Sequence, residues 1–277
     1  MGLACLCWVL LSFGDALAGE YAFVSPHDSS VVSLMERFPT PAGFVRVETA
    51  QNSFGAWLRR LPVSEGPPVV RTSKGYTVEA PALATVPLDL GSGDLQQCAD
   101  SAIRLYAEYR WDAGRTEGLA FHFTSGDRSG WSDWLKGERF DVTGPDVARS
   151  FGAPRPPNRT SYRAWLQHTF VYAGTRSLHL DARSVQEGDG LQPGDILVDP
   201  GSPGHAVVLL DIAVSDSGER IALIGQGFMP AQTFHVLSPE RGHGRDAWFV
   251  LPMQTLGVVK TPSWRAFSRS DARRFTR

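Results

Sequence analysis

Cysteine is scarce in this chain, with three in 277 residues. Two of them, Cys5 and Cys7, lie inside an apolar run at the start. That leaves Cys98 alone in the remainder, so neither a disulfide framework nor a cysteine pair for zinc can be built. The sequence has no His-Glu-x-x-His segment, and His235 and His243 lack metal-ligand spacing, so no metal site is expected. Glycine-rich phosphate loops are also missing, and no cofactor is expected. Neither charge sign dominates: 27 basic and 29 acidic side chains give a net charge of −2. This balance argues against nucleic acid or an anionic membrane as partner. Beyond the first residues no apolar stretch is long enough to span a bilayer.

The opening run, Leu3 to Phe13, has the length of a signal-peptide core, and Ala16-Leu17-Ala18 is a small-x-small cleavage site. Residues 1–18 are therefore expected to be a signal peptide, although no Lys or Arg precedes the run. Export to the periplasm or the medium follows. A lone thiol in such an oxidising compartment is either buried or kept for its reactivity. At 42% hydrophobic and 20% charged, the rest can bury a large core. It divides into an N-terminal extension (19–80), a main α+β domain (81–260) and a basic C-terminal tail (261–277). The tail carries Arg265, Arg269, Arg273, Arg274 and Arg277 and is expected to be solvated.

Cys98 belongs to the best-defined element. Asp94 and Gln97 are spaced like an N-cap and its N3 partner, and Ala102, Ile103, Tyr106 and Tyr109 recur at helical period. The spacing predicts a helix with Cys98 near N4, where the helix dipole favours a thiolate and lowers the thiol pKa. The same face carries Cys98, Ala102, Leu105 and Tyr109, which suits a small core residue equally well.

Val86, Leu88 and Leu90 alternate as a strand leading into this helix, and Ala120 to Thr124 alternates as another. Thr160 to Tyr172 reads as an amphipathic helix. From Pro193 onward the pattern turns to strands: 195–198, 205–214, 220–225, 233–237 and 247–251, with a turn at Asp216 to Gly218. Helices followed by a meander of strands predict an α+β fold with an antiparallel sheet.

A thiol hydrolase needs a nucleophile, a base, a group that orients the base, and donors for the oxyanion. Cys98 supplies the first. His205, opening an apolar strand after Pro203-Gly204, supplies the second. Gln226 falls near the open end of the hairpin that carries His205, where its carbonyl can hold the imidazole in one tautomer. Gln97 can line the oxyanion pocket. His122 and Trp134 are further candidates for the substrate wall, although strand polarity and aromatic packing account for them as well.

Leu191-Gln192-Pro193-Gly194-Asp195 followed by Gly204-His205-Ala206-Val207 resembles the histidine region of NlpC-type and CHAP-type papain-like amidases. That resemblance implies a papain-like core, with the Cys98 helix packed on the sheet. It also implies amide hydrolysis by Cys98, His205 and Gln226, with a peptide or peptidoglycan substrate. The chain departs from it in having Gln97-Cys98-Ala99-Asp100 where those enzymes have Asp-Cys-Ser-Gly. The 107-residue gap between Cys98 and His205 also demands a helical insertion. More closely, four segments resemble the bacterial family catalogued as domain of unknown function 4846. They are Ser53 to Pro62, Asp94 to Asp100, Pro203 to Val207 and Gln226 to Gln232. The alternative to an enzyme is a non-catalytic envelope protein that uses the same cleft for binding.

Overall fold

The computed structural model describes residues 21–24, 30–91, 93–144, 146–239, 247–252 and 257–276. The expected signal peptide, 1–18, lies outside the described residues.

The centre is a nine-stranded antiparallel sheet. Its strands are β1 (Phe44–Arg46), β2 (Ala82–Thr85), β3 (Ala182–Ser184), β4 (Ile196–Asp199), β5 (His205–Ser215), β6 (Arg220–Gln226), β7 (His235–Leu237), β8 (Phe249–Leu251) and β9 (Ala272–Phe275). Spatial order is β2-β7-β6-β5-β4-β9-β3, with β1 added to β5 and β8 to β6. The β5–β6 hairpin is the axis of the sheet, and its residues are nearly all buried. Burial on both faces explains why these strands read as continuous apolar runs rather than as alternation.

Six helices are described: α1 (Leu34–Arg37), α2 (Phe54–Arg59), α3 (Cys98–Asp112), α4 (Trp131–Leu135), α5 (Arg159–Tyr172) and α6 (Thr175–Asp181). The α+β class and the antiparallel meander are as the sequence pattern predicts. The sheet separates two cores. On the α3 side, Ala206, Val208 and Leu210 of β5 pack with Ala99, Ala102 and Ile103. On the other side, Val207 and Leu209 pack with Leu197, Ile224 and Phe267.

The N-cap of helix α3 lies three residues later than expected. Gln97 is its N-cap, and the Gln97 amide donates to Asp100 Oδ2 (3.1 Å). Cys98 is thus the first helical residue. Asp94 does not cap the helix; it accepts from the Ala231 amide across the fold. The helix is buried along most of its length, and two of its charged residues, Arg104 and Glu108, are completely buried. Glu108 pairs with Arg104 and with Arg159 of α5 (2.8 Å), so neither buried charge lacks a counter-ion.

A further unit lies between 120 and 172. It comprises the hairpins 120–130 and 138–151 together with α4 and α5. It packs on α3 through rings: Trp111 meets Tyr162 at 4.7 Å, and Tyr162 meets Trp131 at 5.0 Å.

Both flanking segments are part of the fold rather than appendages. The N-terminal stretch adds β1 to β5. Arg46 and Arg59 reach the fully buried Asp211 of β5 at 2.5 and 2.8 Å. The C-terminal stretch corrects the expectation of a solvated tail, because β9 sits inside the sheet between β4 and β3. Arg274 Nε bonds Asp195 Oδ1 at 2.6 Å, and the Asp195 side chain is 1% exposed. Two of its arginines, Arg265 and Arg274, pair with the buried carboxylates Asp199 and Asp195.

Replacing Arg274 by Ala should therefore lower stability by about 3 kcal/mol, since it strands a buried carboxylate. Urea unfolding at neutral pH measures this, and a change within about 0.5 kcal/mol would mean that the segment behaves as a surface tail.

Candidate functional site

Pairing between β5 and β6 ends at Val208–Gly225. Beyond that point the two strands part, and the start of α3 enters the gap. Glycine makes the approach possible at two places. A Cβ on Gly227 would lie 2.2 Å from Ser101 Oγ and 3.0 Å from the Gln97 carbonyl oxygen. On Gly204 it would lie 2.3 Å from Thr175 Oγ1 of α6. The peptide bonds Ser202–Pro203 and Met229–Pro230, one on each side of the gap, are both cis.

The thiol of Cys98 rests against the first residues of β5. Its sulfur lies 3.9 Å from the Gly204 carbonyl oxygen, to which the thiol donates. The amides of Ala206, Ala99 and Cys98 itself point at the sulfur. The thiol therefore touches backbone on both sides of His205.

His205 and Gln226 meet as the sequence predicts, with His205 Nε2 bonded to Gln226 Oε1 at 2.8 Å. This bond spans the open end of the hairpin. The imidazole follows the parity of Val207 and packs toward the second core. Trp264 lies over it at 5.1 Å, Phe228 meets it edge-on at 5.2 Å, and Phe267 is at 6.2 Å. Thiol and ring thus reach the strand from its two faces, at the one end where the sheet is open. His205 Nδ1 has no hydrogen-bond partner.

A cavity of about 230 Å³ opens onto the thiol. Gln97, Cys98 and Asp100 form its helix side, Gly201 to Gly204 its strand side, and Ala173 to Thr175 the third wall. The third wall directly follows the 120–172 unit, in the stretch of chain between Cys98 and His205.

Electrostatics correct one expectation. The dipole of α3 does not make Cys98 a thiolate. Burial pushes the thiol up to about 11, the neighbouring Asp100 carboxyl pushes the same way, and the surrounding amides offset only part of this. Burial also holds His205 down at about 4, against the bond from Gln226. Asp100 is itself raised well above the carboxylate range by burial. At neutral pH the thiol and the imidazole are both uncharged.

Four of the expected residues do not line this cavity: His205 and Gln226, both fully buried, and His122 and Trp134. His122 leaves its strand on the side away from Phe121, as alternation predicts, but there it meets Asp181 of α6 (Nδ1 to Oδ1, 2.7 Å). Trp134 is buried between the Arg139 guanidinium, 3.7 Å from its ring centre, and His168. Gln97 does line the cavity, with its side-chain amide tied to Asp94 (3.3 Å).

Other residues belong to the site without having been anticipated. Asp199, directly across from His205 on β4, accepts from Trp264 Nε1 (2.8 Å) and pairs with Arg265. Ser263 and His235 both contact the Gln226 amide. The signal was a tryptophan, Trp264, inside an otherwise arginine-rich stretch. Among the described residues no group of three or more His, Cys, Asp or Glu could hold a metal ion.

A family model described as "Domain of unknown function (4846)" matches residues 34–274. The chain belongs to this family. The matched span takes in Cys98, His205 and Gln226, and also Asp199, His235 and Trp264. No curated protein and no solved structure matches the chain.

Alkylation of Cys98 by iodoacetamide should be slower at pH 8 than that of a free thiol, and should climb through pH 10 without a plateau. His205→Ala should leave this profile unchanged, because the ring is neutral throughout the range. A half-maximal rate near the unperturbed value, about 8.5, would contradict the burial described here.

Proposed function

We propose that this chain is an exported cysteine hydrolase that cleaves an amide bond, with wall peptides as the substrate class. One observation carries the reading. Gln226 holds His205 by Nε2 and leaves Nδ1 as its unpartnered nitrogen, while the Cys98 thiol is seated on the backbone of the same residue's neighbours. This division of the imidazole, one nitrogen anchored and one open, is what a general base requires.

In this reading the thiol leaves the Gly204 carbonyl and gives its proton to His205 Nδ1 as the sulfur attacks the substrate carbonyl carbon. The amides at the start of α3 stabilise the oxyanion. Collapse breaks the C–N bond, and the imidazolium protonates the leaving amine. Water, deprotonated by His205, then attacks the thioester, releases the acid and restores the thiol. Gln226 is neutral, so it orients the imidazolium but stabilises it less than a carboxylate would. Because both groups start uncharged, the ion pair forms on the reaction path rather than at rest. The resemblance of the His205 region to NlpC-type and CHAP-type amidases supports a papain-like core, and the signal-like leader supports export and the wall-peptide class.

The high thiol pKa and the low imidazole pKa favour a second reading, a protein that binds a peptide in the same cavity without cleaving it.

Mass-spectrometric product analysis of peptidoglycan and synthetic wall peptides separates the two. Turnover by the wild type, abolished in Cys98→Ala and reduced about 10²–10⁴-fold in His205→Ala, is the expected result. Binding without products in all three proteins would establish the second reading instead.

A further inference from the structure

Gln226 links His205 to a chain of hydrogen bonds whose direction is fixed at its far end. His235 is fully buried on β7, beside Gln226 in register. Its Nδ1 lies 2.9 Å from the Thr233 carbonyl oxygen. A backbone carbonyl can only accept, so Nδ1 carries the proton and Nε2 carries a lone pair. That lone pair faces Gln226 Nε2 at 3.4 Å, a long bond that still admits only an N–H from the glutamine. Gln226 Nε2 also donates to Ser263 Oγ at 3.1 Å. With both its donors spent on that side, the amide must turn its oxygen toward His205. An oxygen there can only accept, so His205 Nε2 carries the proton and Nδ1 does not.

His235 decides the orientation of the Gln226 amide because the other neighbour is indifferent. A hydroxyl such as Ser263 donates or accepts as required, and a side-chain amide has nearly the same shape when flipped. Flipping Gln226 would place N–H groups against His205 Nε2. The ring would then carry its proton on Nδ1, where it could take none from a thiol. We propose that His235 is a positioning residue that fixes the Gln226 amide and, through it, the Nε2–H tautomer of His205. The catalytic consequence rests on the hydrolase reading; the tautomer assignment does not.

Long-range ¹H–¹⁵N correlation spectra of the full chain with ¹⁵N-labelled histidine report ring tautomers directly. The His205 signals are assigned by their loss in His205→Gln, and the His235 signals by their loss in His235→Gln. At pH 7 the wild type should show His205 protonated on Nε2 and His235 protonated on Nδ1. In His235→Phe, which removes the acceptor, a population of His205 protonated on Nδ1 should appear. In His235→Gln, whose carbonyl can accept in place of Nε2, the wild-type tautomer of His205 should persist. Ser263→Ala should also leave it unchanged. A wild-type His205 protonated on Nδ1 would overturn the proposal, and so would a folded His235→Phe with an unaltered tautomer. The wild-type spectrum decides the matter even where the phenylalanine variant does not fold. An inert protein with the expected tautomers would refute the hydrolase reading and leave this assignment standing.

Discussion

The parting of β5 and β6 beyond Val208 and Gly225 is the constraint on which the site depends. At this end α3 packs on one face of the sheet and the His205 imidazole leaves from the other. Where the strands separate, the backbone groups of Gly204 and Ala206 lose their cross-strand partners. The Cys98 thiol takes their place, donating to one and accepting from the other. Gly204 and Gly227 remove the side chains that would hold the helix and α6 away. Gln226 then bridges the opening to the imidazole.

Burial sets the chemistry of that arrangement. The dipole of α3 and the first-turn amides favour a thiolate, but the surroundings of Cys98 are largely dehydrated, and the nearby Asp100 adds an acidic neighbour. Desolvation opposes the charged form of every group in the cluster, so it raises Cys98 and Asp100 and lowers His205 and His235. The neutral state also makes the ring tautomer matter. An imidazolium would present N–H on both nitrogens, whereas a neutral ring offers a lone pair on only one.

The sequence reveals those features whose causes are local. The β-meander after Pro193 is legible because both faces of β4, β5 and β6 are buried and the runs are apolar throughout. The meeting of His205 with Gln226 is legible because a hairpin with its turn at Asp216 to Gly218 has a countable register. Features decided by distant partners are not legible. Asp94 has the chemistry of a cap, yet it serves the Ala231 amide, which shifts the helix start to Cys98. Arg274 reads as part of a solvated tail until the buried Asp195 is seen beside it. His122 and Trp134 are drawn to Asp181 and Arg139, which no spacing predicts. The thiol pKa is the clearest case, since the helix start argues one way locally and tertiary burial overrides it.

If the gap in the sheet exists to bring a neutral thiol and a neutral imidazole onto one substrate, a covalent acyl intermediate must form on Cys98. Intact-protein mass spectrometry after rapid acid quenching of the wild type with a wall-derived peptide tests this directly. The account predicts a transient mass increase equal to the acyl half of the peptide, localised to Cys98 by digestion and absent in Cys98→Ala. Cleavage of the peptide with no adduct on Cys98, undiminished in Cys98→Ala, would contradict it.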